Sequence, residues 1–147
     1  MSNLTGSILV VDDNRMNRLM LARGLEQQGH QVSLAENGRQ ALEMMQNQAL
    51  DLVLLDIEMP EMNGYEVLEQ LNAHPHWRDI PVIMISAVDE IDSVVKCIEM
   101  GAADYLNKPF NPVLLKARVN ASLEKKRLLD KQRELFRKFA TDEVAEE

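Results

Sequence analysis

One cysteine, Cys97, stands among the 147 residues, so no disulfide can close within the chain. Its neighbours Val94, Val95, Ile98 and Met100 read as a helix turned toward a core, where a small buried thiol is inert packing and not redox chemistry. Long apolar runs are missing too. None approaches the roughly 18 residues that a membrane-spanning helix requires, and the first residues carry no basic stretch followed by an apolar one. The expectation is a soluble, cytoplasmic protein with no membrane partner. Positive charge is scarce: 16 Lys and Arg against 24 Asp and Glu leave a formal charge of −8. That balance argues against direct nucleic-acid binding, which needs a basic face. No glycine cluster follows the first apolar run, which removes a Gly-rich nucleotide loop. Internal repeats and low-complexity tracts are absent as well.

What the chain does have is a regular alternation of short apolar runs and amphipathic stretches. Ile8–Val11 reads as a first strand, and Asn14 caps a helix that runs to Gly29 with Met16, Leu19, Met20 and Leu25 on one stripe. Val32–Ala35 alternates with polar residues and suits a strand near an edge. Asn37-Gly38 turns into a short helix marked by Ala41, Leu42, Met44 and Met45. Leu52–Leu55 is a third strand. Pro60 and Asn63-Gly64 punctuate the loop after it, and a helix follows with Val67, Leu68 and Leu71 inward, ending before Pro75. Val82–Ile85 and Asp104–Leu106 are the fourth and fifth strands, separated by a helix from Asp89 or Asp92 to Gly101; Pro109 and Pro112 flank the start of a last helix. Continuous apolar runs fit strands buried on both faces of a parallel sheet. Right-handed crossovers then place helices on both faces of an α/β, doubly wound, five-stranded sheet; the order expected for it is 2-1-3-4-5, flavodoxin-like, in which the first and third strands are neighbours.

Two of those apolar runs end in acid: Asp12 and Asp13 follow the first, and Asp56 follows the third. Ligands of such sheets bind outside the carboxyl ends of the strands, at the switch point between the first and third. The three carboxylates therefore converge, and like charges so close ask for a cation. Hard oxygen donors suit Mg²⁺. Ser86 ends the fourth strand with a hydroxyl and Lys108 ends the fifth with an ammonium group, with a Lys108–Pro109 bond able to be cis. This is equipment for phosphoryl transfer to a carboxylate, with the metal, Lys and Ser holding the phosphoryl oxygens. Singly, each residue has a plainer explanation: a helix cap, a strand-end hydroxyl, a solvated lysine. Their joint placement is the signal.

The set Asp12-Asp13, Asp56, Ser86-Ala87 and Lys108-Pro109 resembles the receiver domain of two-component response regulators, as do the stretches Asp56 to Gly64 and Gly101 to Phe110. The resemblance runs from about Ser7 to about Leu123. It implies that Asp56 is the phosphoacceptor, and that Asp13, Asp56 and the backbone carbonyl of Glu58 bind Mg²⁺ directly, with Asp12 acting largely through water. Lys108 would pair with the phosphoryl group, Ser86 would hydrogen-bond to it, Tyr105 would change rotamer with Ser86, and Ala87 would leave the entry open. Glu58 and Val88 would flank the path of the hydrolytic water. The partner implied is a sensor histidine kinase or phosphotransfer protein. The chain is then no enzyme with its own substrate, but a switch whose output surface is the fourth helix, fifth strand and fifth helix.

From Pro112 no Gly or Pro interrupts the chain to Glu147. The expected division is a receiver domain over 1–123 and, over 124–147, a helix that is either a solvated linker or a dimerisation coil. Leu128-Leu129 and Leu135-Phe136 recur one heptad apart, with Phe139 after them, while Lys125 and Gln132 fall on the same seam. The expectations are a parallel homodimer through this helix, helped near Arg118, and a chain cut from a longer protein. The tail Leu135 to Glu146 resembles the segment that precedes class III nucleotide cyclase domains in some response regulators. A stand-alone phosphorelay receiver is the alternative. A phosphatase of the haloacid dehalogenase type is more distant, because Glu58 stands where that family has Asp. His74-Pro75-His76 is not read as a metal site, and Trp77 is read as loop packing.

Overall fold

The computed structural model describes residues 4–87 and 91–146, with side chains through residue 140. Its elements run β1 (Ser7–Val11), α1 (Arg15–Gln27), β2 (Gln31–Ala35), α2 (Gly38–Asn47), β3 (Leu52–Asp56), α3 (Gly64–Ala73), β4 (Val82–Ser86), α4 (Ile91–Glu99), β5 (Asp104–Asn107) and α5 (Pro112–Glu146). The strands form one parallel sheet of order β2-β1-β3-β4-β5, as expected. Val88 and the alternative helix start at Asp89 lie outside the described residues.

Strand side chains alternate between faces, and the core divides accordingly. Leu9, Val11, Val53, Leu55, Val82, Met84 and Tyr105 pack on the side of α2, α3 and α4. Ile8, Val10, Leu52, Leu54, Ile83, Ile85 and Leu106 pack on the other side, against Leu21 and Leu25 of α1 and Leu115, Val119 and Leu123 of α5. Asn14 caps α1 through its side chain, which accepts from Asn17 N–H at 3.0 Å. Asn111 caps α5, accepting from Val113 and Leu114 N–H at 2.9 and 3.2 Å.

Two helices are rotated from the sequence expectation. In α1 the buried stripe is Arg18, Leu21, Ala22 and Leu25, while Met16, Leu19 and Met20 are 68, 48 and 58% exposed. The cause is Arg18, whose guanidinium turns inward to donate to the main-chain carbonyl of Asp12 at 2.7 Å. In α4, Cys97 is fully buried and Val94 and Met100 pack partly behind it, but Ile91, Val95 and Ile98 face solvent. Trp77 packs partly against the core, with His74 stacked on its ring at 3.8 Å.

The last helix spans 35 residues. Leu115, Val119 and Leu123 recur every fourth residue and bury against the sheet. Past Leu123 the helix runs on with Leu128, Leu129, Leu135, Phe136 and Phe139 exposed. It is not wholly detached: Arg133 makes two hydrogen bonds to Asp79, at 2.6 and 3.1 Å, in the loop before β4. Arg118, on the sheet-facing part, pairs with Asp104. Among the described residues no helix is long and apolar enough to cross a membrane.

Candidate functional site

Register places the acids. Val11 of β1 lies opposite Leu55 of β3, so the next residues, Asp12 and Asp56, emerge side by side at the carboxyl end of the sheet. Both are 1% exposed, whereas Asp13 is exposed at the rim. One carboxylate oxygen from each of Asp12, Asp13 and Asp56 lies within 4.8 Å of the others. Neither His74 nor His76 belongs to that group; the acids alone form a metal-sized cluster among the described residues.

Lys108 enters from the end of β5. Its Nζ lies 3.2 Å from Oδ2 of Asp12 and 3.2 Å from Oδ1 of Asp56. The Lys108–Pro109 bond is cis, and Lys108 N–H donates to the Ser86 carbonyl at 2.9 Å, which ties the two strand ends together. Burial alone would lower the Lys108 ammonium, but Asp56 and Asp12 outweigh it and hold it above its ordinary value. Asp56 is pushed up to about 7, first by burial, then by the charge of Asp12, with Lys108 opposing and Glu58 adding a little. One ammonium therefore does not compensate three acids.

The residues fit a small divalent cation. Oδ2 of Asp12 and both oxygens of Asp56 are buried without a hydrogen-bond partner among the described residues, and Lys108 meets one oxygen of each residue at ion-pair distance only. Buried, unbonded, hard oxygens beside an exposed carboxylate match the donors that Mg²⁺ prefers, with room for water at the open side. Oδ1 of Asp12 is already used, accepting from Asn14 N–H at 2.8 Å.

Ser86 is buried at the end of β4, and its hydroxyl donates to Oε1 of Glu58 at 2.5 Å. The Glu58 side chain is thus turned toward Ser86 from an otherwise exposed position. Ala87 is exposed next to Ser86. Tyr105 is buried in the core on the α4 side, not out at the surface.

Sequence reasoning missed two supporting residues. Arg18, buried, holds the Asp12 carbonyl and lies 3.7 Å from Glu36, so it ties the loop after β1 to the loop after β2. Its spacing of three, four and seven residues from Leu21, Ala22 and Leu25 was the available signal. Gly64 was read as part of a turn. In fact a Cβ there would stand 2.4 Å from the Asp56 carbonyl oxygen, so glycine lets α3 start directly against the acid-bearing strand end. Nothing in the local sequence reports that approach.

Comparison with known proteins agrees with this geometry. The model of the response regulator receiver domain family matches residues 8–120. A probable cyclic di-GMP phosphodiesterase of Vibrio cholerae is 42% identical over 124 residues, covering 84% of this chain and 28% of that protein. Response regulator PleD of Caulobacter vibrioides is 37% identical over 131 residues, 89% of this chain and 29% of that one. Among solved structures, the chemotaxis protein CheY4 of Vibrio cholerae superposes with a TM-score of 0.77 at 28% identity, covering 81% of this chain and 99% of its own. NtrX of Brucella abortus superposes at 0.84 and 30% identity, covering 90% of this chain and 30% of its own. The chain spans less than a third of the length of the two curated relatives named.

Proposed function

The chain belongs to the response regulator receiver domain family, and from that premise we propose that Asp56 is its phosphoacceptor, charged by a sensor histidine kinase or phosphotransfer protein. The observation that carries this reading is the state of Asp56: buried beside Lys108, with both carboxylate oxygens free of hydrogen bonds among the described residues. In the transfer an Asp56 oxygen forms a bond to phosphorus while the bond from phosphorus to the donor imidazole breaks, its electron pair returning to the ring nitrogen. Asp13, Asp56 and the backbone carbonyl of Glu58 would hold Mg²⁺, with Asp12 acting through water. When bound, the ion neutralises charge that develops on the phosphoryl oxygens. Lys108 pairs with one of those oxygens and the Ser86 hydroxyl donates to another. Ala87 keeps the approach open, and the place of Ser86 governs whether Tyr105 holds its buried position.

On this reading residues 1–123 are the switch and 124–147 a helical linker that carries its state onward. The exposed apolar residues of the extension support a parallel homodimer, and the tail's resemblance favours a nucleotide cyclase as the output module. The phosphatase alternative has no support in the site, since Glu58 directs its carboxylate to Ser86.

Incubation with Mg²⁺ and labelled acetyl phosphate tests the assignment. The parent chain should incorporate label and Asp56→Asn should incorporate none. Equal labelling of the two would move the phosphoacceptor elsewhere.

A further inference from the structure

We infer that Glu58 is a resting-state latch: its carboxylate holds the Ser86 hydroxyl away from Asp56, and phosphorylation must break that hold. The inference rests on Asp56 being the phosphoacceptor.

The hydrogen bond from Ser86 to Glu58, at 2.5 Å, joins residues 28 apart in sequence. That length is typical of a hydroxyl bonded to a carboxylate, about twice as strong as a neutral pair. A serine hydroxyl has a single proton to donate. It can serve Glu58 or a phosphoryl oxygen on Asp56, not both. The Ser86 main chain has no comparable freedom. Its carbonyl accepts from Lys108 N–H, and the neighbouring Ile85 carbonyl accepts from Ile57 N–H, each at 2.9 Å. Only rotation of the side chain can redirect the hydroxyl. Glu58 stands two residues beyond Asp56, so a phosphoryl group there also brings negative charge against its carboxylate. Formation of the aspartyl phosphate therefore attracts the hydroxyl and repels its present partner. The bond sets a threshold that an incoming phosphoryl group has to exceed.

The test is titration of the 147-residue chain with beryllofluoride in saturating Mg²⁺, followed by amide resonances. Glu58→Ala leaves the main-chain carbonyl in place and removes the latch. It should raise the apparent beryllofluoride affinity about ten- to a hundredfold, the value of one hydrogen bond to a charged group. Before either ligand is added, it should also shift the Ser86 amide resonance. In a Ser86→Ala background the same substitution should give a smaller gain, because only charge repulsion is left to relieve. Equal gains in both backgrounds, or no gain in either, would overturn the latch while leaving Asp56 as phosphoacceptor. Failure of the parent to take up beryllofluoride and to label at Asp56 would remove the phosphoacceptor reading, and the latch with it.

Discussion

Burial makes Asp56 a different acid from any aspartate on the surface. The unfolded chain releases its proton near 3.8, but the folded site holds it to about 7. Between those values the unfolded state has given up a proton that the native state keeps, so native stability falls as pH rises and the loss is complete above about 7. Asp56→Asn removes the ionisation. In the absence of divalent metal it should be more stable than the parent. The advantage should grow from nothing near pH 4 to the order of 2–4 kcal/mol near pH 8, read by urea denaturation across that range. Mg²⁺ should shrink the difference by giving the parent carboxylate a counter-charge. An advantage independent of pH would show that Asp56 ionises like an ordinary carboxylate. Its position after an apolar run was plain in the sequence. Its proton affinity was not, because that depends on Asp12, Glu58 and Lys108, which other elements deliver.

At the scale of elements, the informative cases are the helices whose faces turned out differently. Met16, Leu19 and Met20 are as apolar as Leu21, Ala22 and Leu25, which α1 buries, and hydrophobicity alone could not place the charged Arg18 among the buried ones. A main-chain carbonyl at the end of β1 chose, by accepting from Arg18. In α5 the unexpected feature is an anchor past Leu123, where the helix no longer covers the sheet. Arg133 and Asp79, 54 residues apart, join there in a two-pronged pair. Arg133 is the first cause of the lowered Asp79 carboxyl, which fits a real charge-assisted contact despite its exposure. Asp79→Ala or Arg133→Ala should speed amide hydrogen exchange severalfold in the stretch around residues 129–137 and leave β1 and β3 unchanged. Exchange at parental rates in both variants would mean that the extension is stable without its anchor.

For the whole molecule, the extension's apolar side chains determine how copies of the chain meet in the proposed dimer. Leu128, Leu135, Phe136 and Phe139 are between 61 and 75% exposed, an arrangement that costs solubility unless another surface covers it. Sedimentation with Mg²⁺ and beryllofluoride should give twice the chain mass of 16.7 kDa, and Leu135→Glu with Phe139→Glu should return it to a single chain. A single-chain mass with and without beryllofluoride would exclude the dimer. The strand order, the alternation of elements and the three converging acids were all legible beforehand. The alternation and the strand-end acids follow from run length and period, and the helices on both faces from the handedness of crossovers, while the strand order is one of the two common to doubly wound sheets. Ser86 and Lys108 were legible for the same reason, as residues at strand ends. The bond between Glu58 and Ser86, the inward turn of Arg18, the closeness of Gly64 to Asp56 and the anchoring of α5 at Asp79 were decided only by tertiary structure. Each joins groups from different elements, and whether they meet depends on helix rotation and loop path to within an ångström or two, which no period in the sequence encodes.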